Sequence, residues 1–566
     1  MDIRRTILLM IFAFSLLMLW NNWQVHQTGT SLFGESPATE QANDQQRQDS
    51  QDPSGAATVP SGVAPADRPQ EATPAPVTPS VASVAAPAAD QTVVVETDVV
   101  RLTFDLTGAQ IIRAELLKFP TKGRPDQPLV LLEQDRGRVY VVQTGVVGPA
   151  GTNYPTHLVP FELVSSQTSL EGDTLPIRFV GESDGVRVTK TFVLRRGDYT
   201  IDVTHEVENL NDSPISPSLY LQITRDGDSP DDTSSFYFTF TGPAVYSEQE
   251  KFQKVSFSDI EKKRGSYIRS ADNGWIAMIQ HYFVTAWVPP QGVQRSYDMA
   301  QVGENLFAVR SIESVGTIAP GAASSVESQL WIGPQDQGAL EALAPGLDLV
   351  VDYGWLTILA KPLFILMTWL HSFIGNWGWT IVALTVLIKL VFFPLSATSY
   401  RSMAKMKQVA PRLQALKEKF GDDRQKLNAA MMEMYRTEKI NPLGGCLPIL
   451  VQIPVFIALY WVLLASVEMR GAPWILWVHD LSARDPLFIL PLVMMATMFL
   501  QIKLNPTPPD PIQARVMMIM PLVFGGFMFF FPAGLVLYWV VNNILSIAQQ
   551  WYITRKMTMA ANQPHR

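Results

Sequence analysis

One run of about twenty mostly apolar residues, 376–395, constrains most strongly how this chain can fold. Roughly 20 such residues are needed to cross a bilayer as a helix, so the run predicts a membrane span. It contains a single full charge, Lys389. An ionisable side chain at that depth costs about 2.5 kcal/mol or more on insertion scales, which marks it as a candidate functional residue. The alternative is that Lys389 only extends toward the cytoplasmic headgroups, and the run alone favours neither reading.

Composition excludes several classes of protein. Cys446 is the only cysteine among the 566 residues, so the chain can form no internal disulfide and no zinc site of the CxxC kind. No basic surface interleaved with aromatic residues indicates nucleic acid as the main ligand. The sequence has no HExxH motif, no pair of aspartates within the spans and no serine–histidine pairing there. We therefore expect no enzymatic activity, no cofactor and no metal.

The N-terminal residues predict an anchor and a tether. Residues 1–25 contain two arginines followed by the apolar run 7–20, and no small-residue cleavage site follows it. This pattern favours an uncleaved transmembrane anchor with its N-terminus inside over a signal peptide. Residues 26–90 are rich in Pro, Ala, Ser and Gln, and such a composition cannot bury enough apolar surface to become ordered. We expect a disordered tether.

Residues 91–335 predict a large antiparallel β-sandwich domain on the outer side of the membrane. Polar and apolar residues alternate along 186–194 and 199–207, with an Arg-Arg-Gly-Asp turn between the two runs. Four further runs predict strands, at 99–106, 218–223, 281–288 and 326–332. The aspartates of 226–232 lack the spacing of an EF-hand and predict a solvated loop. A sugar-binding role would rest on fold class alone, which is a weak basis.

Residues 336–375 are predicted to form a linker and an interfacial helix. The segment 354–374 is apolar but is interrupted by Lys361 and Pro362. Trp355 and Trp369 and a polar flank favour a helix that lies in the outer membrane interface over one that spans the bilayer.

A cytoplasmic helical hairpin is predicted over 399–440. Between Arg401 and Lys439 there are ten Lys or Arg residues and five acids, which places this loop inside. Gly421 is expected to stop the first helix, and Asp422 or Asp423 to cap the second. The two helices carry apolar faces at helical spacing, made by Met406, Val409, Leu413, Leu416 and Phe420 in the first and by Leu427, Met431 and Met434 in the second.

Four more spans are predicted at 447–466, 487–501, 517–531 and 535–551. With the anchor and 376–395 they make six transmembrane helices, five of them in a core of residues 376–552, with a cytoplasmic tail at 553–566. Basic residues lie in the loops that this arrangement places inside, so both termini are expected in the cytoplasm.

Polar residues follow one face of the last span. Tyr538, Asn542, Ser546 and either Gln549 or Gln550 recur at steps of about four, which is the spacing of one helix face. The other spans contribute Thr385, one turn before Lys389, and also Gln452, Thr497 and Gln501. These groups either join the helices by hydrogen bonds of about 0.6 to 2 kcal/mol each or line a hydrophilic groove around Lys389. Because no Asp or Glu within the spans can pair with the lysine, we favour the groove.

Four segments resemble the YidC/Oxa/Alb family of membrane protein insertases, in its long Gram-negative form. They are SMAKMK at 402–407, NPLGGCLP at 441–448, LWVHDLSARD at 476–485 and FPAGLVLY at 531–538. The resemblance implies a polytopic α-helical insertase core, a periplasmic β-supersandwich and a location in the bacterial inner membrane. It also implies a function: insertion and folding of inner-membrane proteins, independently of the Sec translocon or together with it.

The same resemblance implies particular residues and partners. The family's groove usually carries an arginine, and Lys389 stands at that position. Substrate-groove positions are then Lys389, Thr385, Gln452, Tyr538, Trp539, Asn542 and Ser546. The hairpin resembles a loop linked to the ribosome and the signal recognition particle pathway, with candidate contacts at Lys405, Lys407, Arg412 and Lys417. Partners would be nascent inner-membrane proteins, the Sec translocon, that targeting machinery and membrane lipids.

Two other classes of function compete with this reading. An ion-coupled transporter requires a membrane acid and two similar halves, and neither is visible in the sequence. A pure assembly scaffold would keep its activity after loss of the groove charge.

Overall fold

The computed structural model describes residues 91–135, 137–230, 239–420, 423–438, 447–505 and 511–561. The predicted anchor and tether lie outside these residues. The described chain divides into two compact units, one ending at Val351 and the other beginning at Asp352.

The first unit contains two nine-stranded antiparallel sheets, which confirms the predicted β-sandwich. The first sheet has the order β1-β2-β3-β4-β5-β10-β17-β16-β13. Its strands are β1 (Thr92–Glu96), β2 (Val100–Asp105), β3 (Gln110–Thr121), β4 (Arg124–Gln134), β5 (Val139–Val147), β10 (Ser218–Asp226), β13 (Ser270–Ala271), β16 (Arg295–Gly303) and β17 (Leu306–Ser314).

The second sheet has the order β12-β11-β14-β15-β18-β9-β8-β7-β6. Its strands are β6 (Glu162–Leu163), β7 (Thr174–Ser183), β8 (Val186–Arg195), β9 (Thr200–Asn209), β11 (Gly242–Ser247), β12 (Lys251–Lys254), β14 (Trp275–Gln280), β15 (Phe283–Val288) and β18 (Ala323–Pro334). Two short helices complete the unit, α1 (Phe257–Glu261) and α2 (Gln337–Leu343).

Alternation located strands such as β8 because one face of each is buried, whereas β5, β10, β14 and β15 are buried along their whole length. In β8, for example, buried and half-buried residues alternate from Val186 to Arg195. The prediction of a solvated loop is wrong for Asp226, which is buried at the end of β10. Its carboxylate accepts hydrogen bonds from the backbone N–H groups of Val139, at 2.8 Å, and Asp228, at 3.1 Å. The side chain therefore holds the start of β5.

The second unit is helical. Its helices are α3 (Thr357–Ile374), α4 (Trp377–Val391), α5 (Phe393–Phe420), α6 (Arg424–Thr437), α7 (Leu447–Ala465), α8 (Ile489–Leu504), α9 (Pro511–Met528) and α10 (Ala533–Ala561). The cap predicted for the second hairpin helix is confirmed, since the Asp423 side chain accepts from the N–H groups of Gln425 and Lys426.

A bend of 67° separates α4 from the first part of α5. The expectation of one continuous span over 376–395 is therefore wrong at its end. Pro394 has no N–H to donate to the carbonyl of Leu390, so the helix cannot continue undisturbed through this point. α4 ends at Val391, and α5 leaves in a new direction from Phe393.

By length and composition, one described helical segment, Gly354–Ile374, could cross a membrane by itself. The bent pair α4–α5 would be a second such segment if the two helices are counted as one span. Three shorter apolar helices lie at Gln452–Ala465, Ile489–Leu504 and Ala514–Met528. The predicted count of six is not confirmed. The interfacial position of α3 stays a prediction, because this helix is long and apolar enough to span.

Candidate functional site

Lys389 lies in the last turn of α4, and its side chain is buried at 6% exposure. The ammonium donates hydrogen bonds to Oε1 of Gln452 on α7, at 3.3 Å, and to Oγ of Ser546 on α10, at 2.8 Å. The C-terminal end of a helix carries partial negative charge, which favours a cation there. The side chain thus points into the helical unit and does not extend along its surface.

The groups around Lys389 form a connected polar cluster. Gln452 donates from Nε2 to Oδ1 of Asn542 at 2.5 Å, and Ser546 donates from Oγ to the carbonyl of Asn542 at 2.7 Å. Gln452 therefore accepts from the lysine on one side and donates to α10 on the other. No acidic side chain among the described residues forms an ion pair with Lys389. The cluster keeps a net positive charge for as long as the lysine is protonated.

The other predicted groove residues lie next to this cluster. Thr385 is buried one turn earlier, and its hydroxyl donates to the carbonyl of Ile381 in its own helix at 2.6 Å. Tyr538 stacks on Phe456 with ring centroids 6.0 Å apart, and Trp539 packs against Phe456 at 4.5 Å. These aromatic rings form an apolar wall between α7 and α10.

A small recess, with space for about one water molecule, opens beside the lysine. It is lined by Ile388, Lys389, Phe392, Leu395, Ser396, Gln452 and Val455. Its position follows from the bend after Val391, because Leu395 and Ser396 belong to α5, on the far side of that bend. Sequence reasoning missed Ser396. Pro394 was the signal that could have located this side of the site.

A second polar row joins α10 to α8. Asn543 donates to the hydroxyl of Thr497 at 3.2 Å, and Gln550 donates to Oδ1 of Asn505 at 2.9 Å. Thr497 and Gln550 were among the predicted polar residues, whereas Asn543 and Asn505 were not. The adjacent pair Asn542-Asn543 was the available signal, since neighbouring residues on a helix point in different directions. The contacts of α10 with α7 and with α8 are therefore made by two different faces of the helix.

Of the four hairpin candidates, the structure describes the side chains of three. Lys405, Lys407 and Arg412 are exposed along α5, and Arg412 forms an ion pair with Glu438 at 2.7 Å. Lys417 lies in the same helix, and its side chain is outside the described residues. Across the described part of the chain, no group of three or more His, Cys, Asp or Glu side chains could hold a metal ion.

The family model described as the YidC periplasmic domain matches residues 92–366, and the one described as 60Kd inner membrane protein matches residues 369–561. The membrane protein insertase YidC of Bordetella petrii is 68% identical over 572 residues and covers 99% of both chains. The relative of the same name in Cupriavidus necator is 52% identical over 566 residues and covers 98% of both.

Likeness to solved structures is weaker than these sequence matches. The structure titled active YidC insertase with the first transmembrane domain resolved covers 82% of this chain and 93% of its own, at 19% identity and a TM-score of 0.38. A galactose mutarotase related enzyme from Lactobacillus acidophilus covers 43% of this chain and 97% of its own, at 8% identity and a TM-score of 0.30. Both structural likenesses are too distant to add to the sequence matches.

Proposed function

This chain belongs to the YidC family of membrane protein insertases, and from that premise we propose how it acts on its clients. Its function is insertion of proteins into the inner membrane, not enzymatic catalysis. We propose that it acts both independently of the Sec translocon and together with it, and that it assists the folding of its clients. Ribosomes and the signal recognition particle would deliver those clients to the hairpin of α5 and α6.

The observation that carries the mechanism is the buried Lys389, whose partners among the described residues are all neutral. An ammonium has three N–H donors, and Lys389 uses two of them on Gln452 and Ser546. One donor and the full positive charge remain for a client group that enters the neighbouring recess. Moving a carboxylate out of water is costly, and a cation a few ångströms away offsets part of that cost. The site would therefore lower the free-energy barrier to moving polar or acidic client segments from water into the membrane.

The client's apolar helix needs a different surface. Exposed apolar side chains lie along α8 and α9, including Leu500 on α8 and Met518, Leu522 and Phe527 on α9. Methionine side chains are flexible and polarisable, so they adapt to varied apolar partners. Sixteen of the chain's 21 methionines lie from residue 354 onward, which suits a protein whose clients differ in sequence.

The competing functions are disfavoured by the same site. A proton- or ion-coupled transporter needs a carboxylate that changes charge near its cation. The described residues around Lys389 offer an amide, two hydroxyls and apolar groups instead. A scaffold without a groove gives no reason to bury a lysine among helices, since neutral hydrogen-bonding groups join helices at lower cost.

We propose a topology with both termini in the cytoplasm, six spans, and residues 34–353 in the periplasm. The basic loops support it. The test places single cysteines at positions 60 and 430 in a Cys446→Ser background and adds an impermeant thiol reagent to cells with a permeable outer membrane. Position 60 should be labelled and position 430 protected until the inner membrane is broken. Equal labelling in sealed cells would contradict the topology.

Depletion of the protein tests the function directly. Cells in which its expression is shut off should accumulate newly made small inner-membrane proteins in a form that protease cannot reach from the periplasm. Re-expression of the wild-type chain should restore their insertion within the same experiment. If insertion of every inner-membrane protein examined continues at the normal rate after depletion, the proposed function is wrong.

A further inference from the structure

Lys190 of the β domain is buried at 0% exposure between the two sheets. It lies on β8, where every second residue from Val186 to Leu194 points into the core. The other residues of this inward face are Val186, Val188, Phe192 and Leu194. A lysine on that buried face is costly unless its polar atoms are satisfied. The proposed insertase function gives no use to this residue.

The partners of Lys190 belong to the opposite sheet. Its Nζ donates to the carbonyl of Gly108 at 2.6 Å and to the carbonyl of Thr144 at 2.8 Å. Thr144 is on β5, and Gly108 lies in the turn between β2 and β3. One side chain thus links β8 of the second sheet to two points of the first.

No acidic side chain among the described residues forms an ion pair with Lys190. Its pairing partner on the neighbouring strand β9 is His205. His205 is also fully buried, and its Nε2 lies 2.9 Å from the hydroxyl of Thr144. Burial lowers the pKa of Lys190 to about 7. Burial, followed by the nearby charge of Lys190, lowers the pKa of His205 to about 3.

The two protonation states of Lys190 fit this site differently. A neutral amine has two N–H donors, which match the two carbonyls. The ammonium has a third donor and a full charge, and what faces it is the ring of Phe161, whose centroid is 4.5 Å from Nζ. A cation over an aromatic face gains about 0.5 to 2 kcal/mol, less than a buried charge requires without a counterion. The neutral form is therefore the better fitted one.

Phe161 ends a segment that crosses this part of the first sheet, residues 148–161, here called the strap. Backbone hydrogen bonds join the strap to the sheet: Val146 N–H to Pro155, Gly108 N–H to Val159 and Phe161 N–H to Leu106, at 2.9, 2.7 and 2.7 Å. Gly108 has φ of +79°, and a Cβ there would lie 2.3 Å from the carbonyl oxygen of His157, so strap and turn are in close contact.

The other titratable groups in and around the strap are His157, Tyr220, Tyr154 and Asp184, which accepts a hydrogen bond from the backbone N–H of Asn153 at 3.1 Å on the exposed side of the strap. His157 is fully buried, and its Nδ1 lies 2.5 Å from the Tyr220 hydroxyl of β10. Burial raises the pKa of Tyr220, and Arg310 of β17 acts against this shift. None of the described carboxylates acts on the pKa of Lys190, His205 or Tyr220.

We propose that Lys190 and the strap form a pH-responsive latch in the periplasmic domain. The neutral amine binds the Gly108 turn and Thr144 of β5, against which the strap packs, and so keeps the strap seated. Protonation puts a full charge among carbonyls and one aromatic ring, and opening of the strap lets water reach that charge. The periplasmic face of the protein would thereby become more open as the medium becomes acidic.

The direction of the pH dependence follows from proton uptake. The ordinary pKa of a lysine is 10.5 and that of the seated Lys190 is lower, so opening binds a proton between these values. The fraction of open strap should rise by up to about tenfold for each pH unit lowered within that window, and level off below about pH 7. His205 adds a second rise as the pH falls below its ordinary value near 6.5.

Hydrogen–deuterium exchange of the full-length protein in detergent micelles tests the latch. Protection of backbone amides in the strap and in β8 is measured at pH 6, 7, 8 and 9 and corrected for the intrinsic exchange rate at each pH. Wild-type protection should fall as the pH is lowered from 9 to 7, while that of β14 and β15 stays level. In Lys190→Met, which removes the amine and keeps most of the length of the side chain, strap protection should be independent of pH over this range.

Lys118→Met is the matched control, because Lys118 is exposed on β3. It should keep the wild-type pH profile. The latch would be overturned if the corrected protection of the strap followed that of β14 and β15 at every pH. It would also be overturned if Lys190→Met showed the same pH dependence of strap protection as the wild type. If Lys190→Met does not fold, the wild-type comparison of strap and distant strands still decides the outcome.

Discussion

Lys389 on α4 donates a hydrogen bond to the hydroxyl of Ser546 on α10, 157 residues later in the chain, over 2.8 Å. A hydroxyl orients the ammonium but does not neutralise it. The contact therefore fixes a positive charge at the meeting point of α4, α7 and α10 and leaves that charge available. A carboxylate in place of Ser546 would hold the lysine as firmly and cancel its effect on a client.

Removal of the charge at Lys389 should affect acidic clients most. Lys389→Ala should lower insertion of a client with acidic residues in its translocated segment by about tenfold, which corresponds to about 1.4 kcal/mol of lost attraction. Lys389→Arg should be tolerated, because the recess requires a charge and not a particular geometry. Lys389→Glu should be worse than Lys389→Ala, since like charges repel. Protease protection of newly made client in membrane vesicles gives the inserted fraction.

The same client with its translocated acids changed to amides is the control. Its insertion should fall much less in Lys389→Ala. Equal impairment of the acidic and the amide clients would show that Lys389 serves the structure or the hydration of the site and not electrostatic attraction.

Adjacent asparagines on α10 separate the two roles of its polar residues. Asn542 accepts from Gln452 beside Lys389, whereas Asn543 donates to Thr497 on α8. Asn542→Ala and Asn543→Ala should each lower thermal stability in detergent, by about 0.6 to 2 kcal/mol for a lost bond between helices. Only Asn542→Ala should also reduce insertion of the acidic client relative to the amide client. Client selectivity lost equally in both variants would mean that the two faces act as one structural network.

The sequence pattern identified most polar residues of this site but not which neighbouring helix each of them contacts. Spacing by four placed Asn542 and Ser546 together correctly, yet it could not assign Asn543, because a single-helix pattern contains no information about which neighbour each face meets. The span was predicted through residue 395 since hydropathy sums over the run, while the structure breaks it near Pro394. The missing N–H and the ring of Pro394 interrupt the helix there, although the average hydrophobicity of the run continues unchanged.

The β domain shows the same limit on a larger scale. Alternation predicted β8 and β9 and their hairpin, which is local in sequence. The pairing of β10 with β5 and with β17 joins residues far apart in the chain, and alternation contains no signal for it. Lys190 could have been found, because it occupies an inward position of an otherwise apolar alternating face.

Gly378 should be required for the packing of the start of α4. A Cβ at this position would lie 2.2 Å from Cδ1 of Trp474, in the loop between α7 and α8. The same loop is held by Asn376, whose Nδ2 donates to the carbonyl of Pro473 at 3.0 Å. Gly378→Val should therefore destabilise the helical unit by about 1 to 3 kcal/mol through overpacking, seen as a lower melting temperature in detergent.

Gly526 provides the matched control for that substitution, since a Cβ there meets nothing within 4 Å. Gly526→Val adds the same side chain to a helix of the same unit and should leave the melting temperature nearly unchanged. A Gly378→Val protein as stable as Gly526→Val would mean that the Trp474 loop moves aside readily.

The periplasmic β domain should be dispensable for insertion. The strands of both sheets lie between β1 and β18 and pair within their own sheet, so removal of residues 92–334 leaves no half-sheet behind. Removal of α3 is different, because this helix packs its Ala360, Phe364 and Met367 side chains into the helical unit. Cells depleted of the wild-type protein and supplied with the 92–334 deletion should therefore insert clients, and cells supplied with a deletion of residues 357–374 should not. Membrane abundance of both variants is measured in parallel. Loss of insertion by a stable, correctly located 92–334 deletion would show that the β domain takes part in insertion itself.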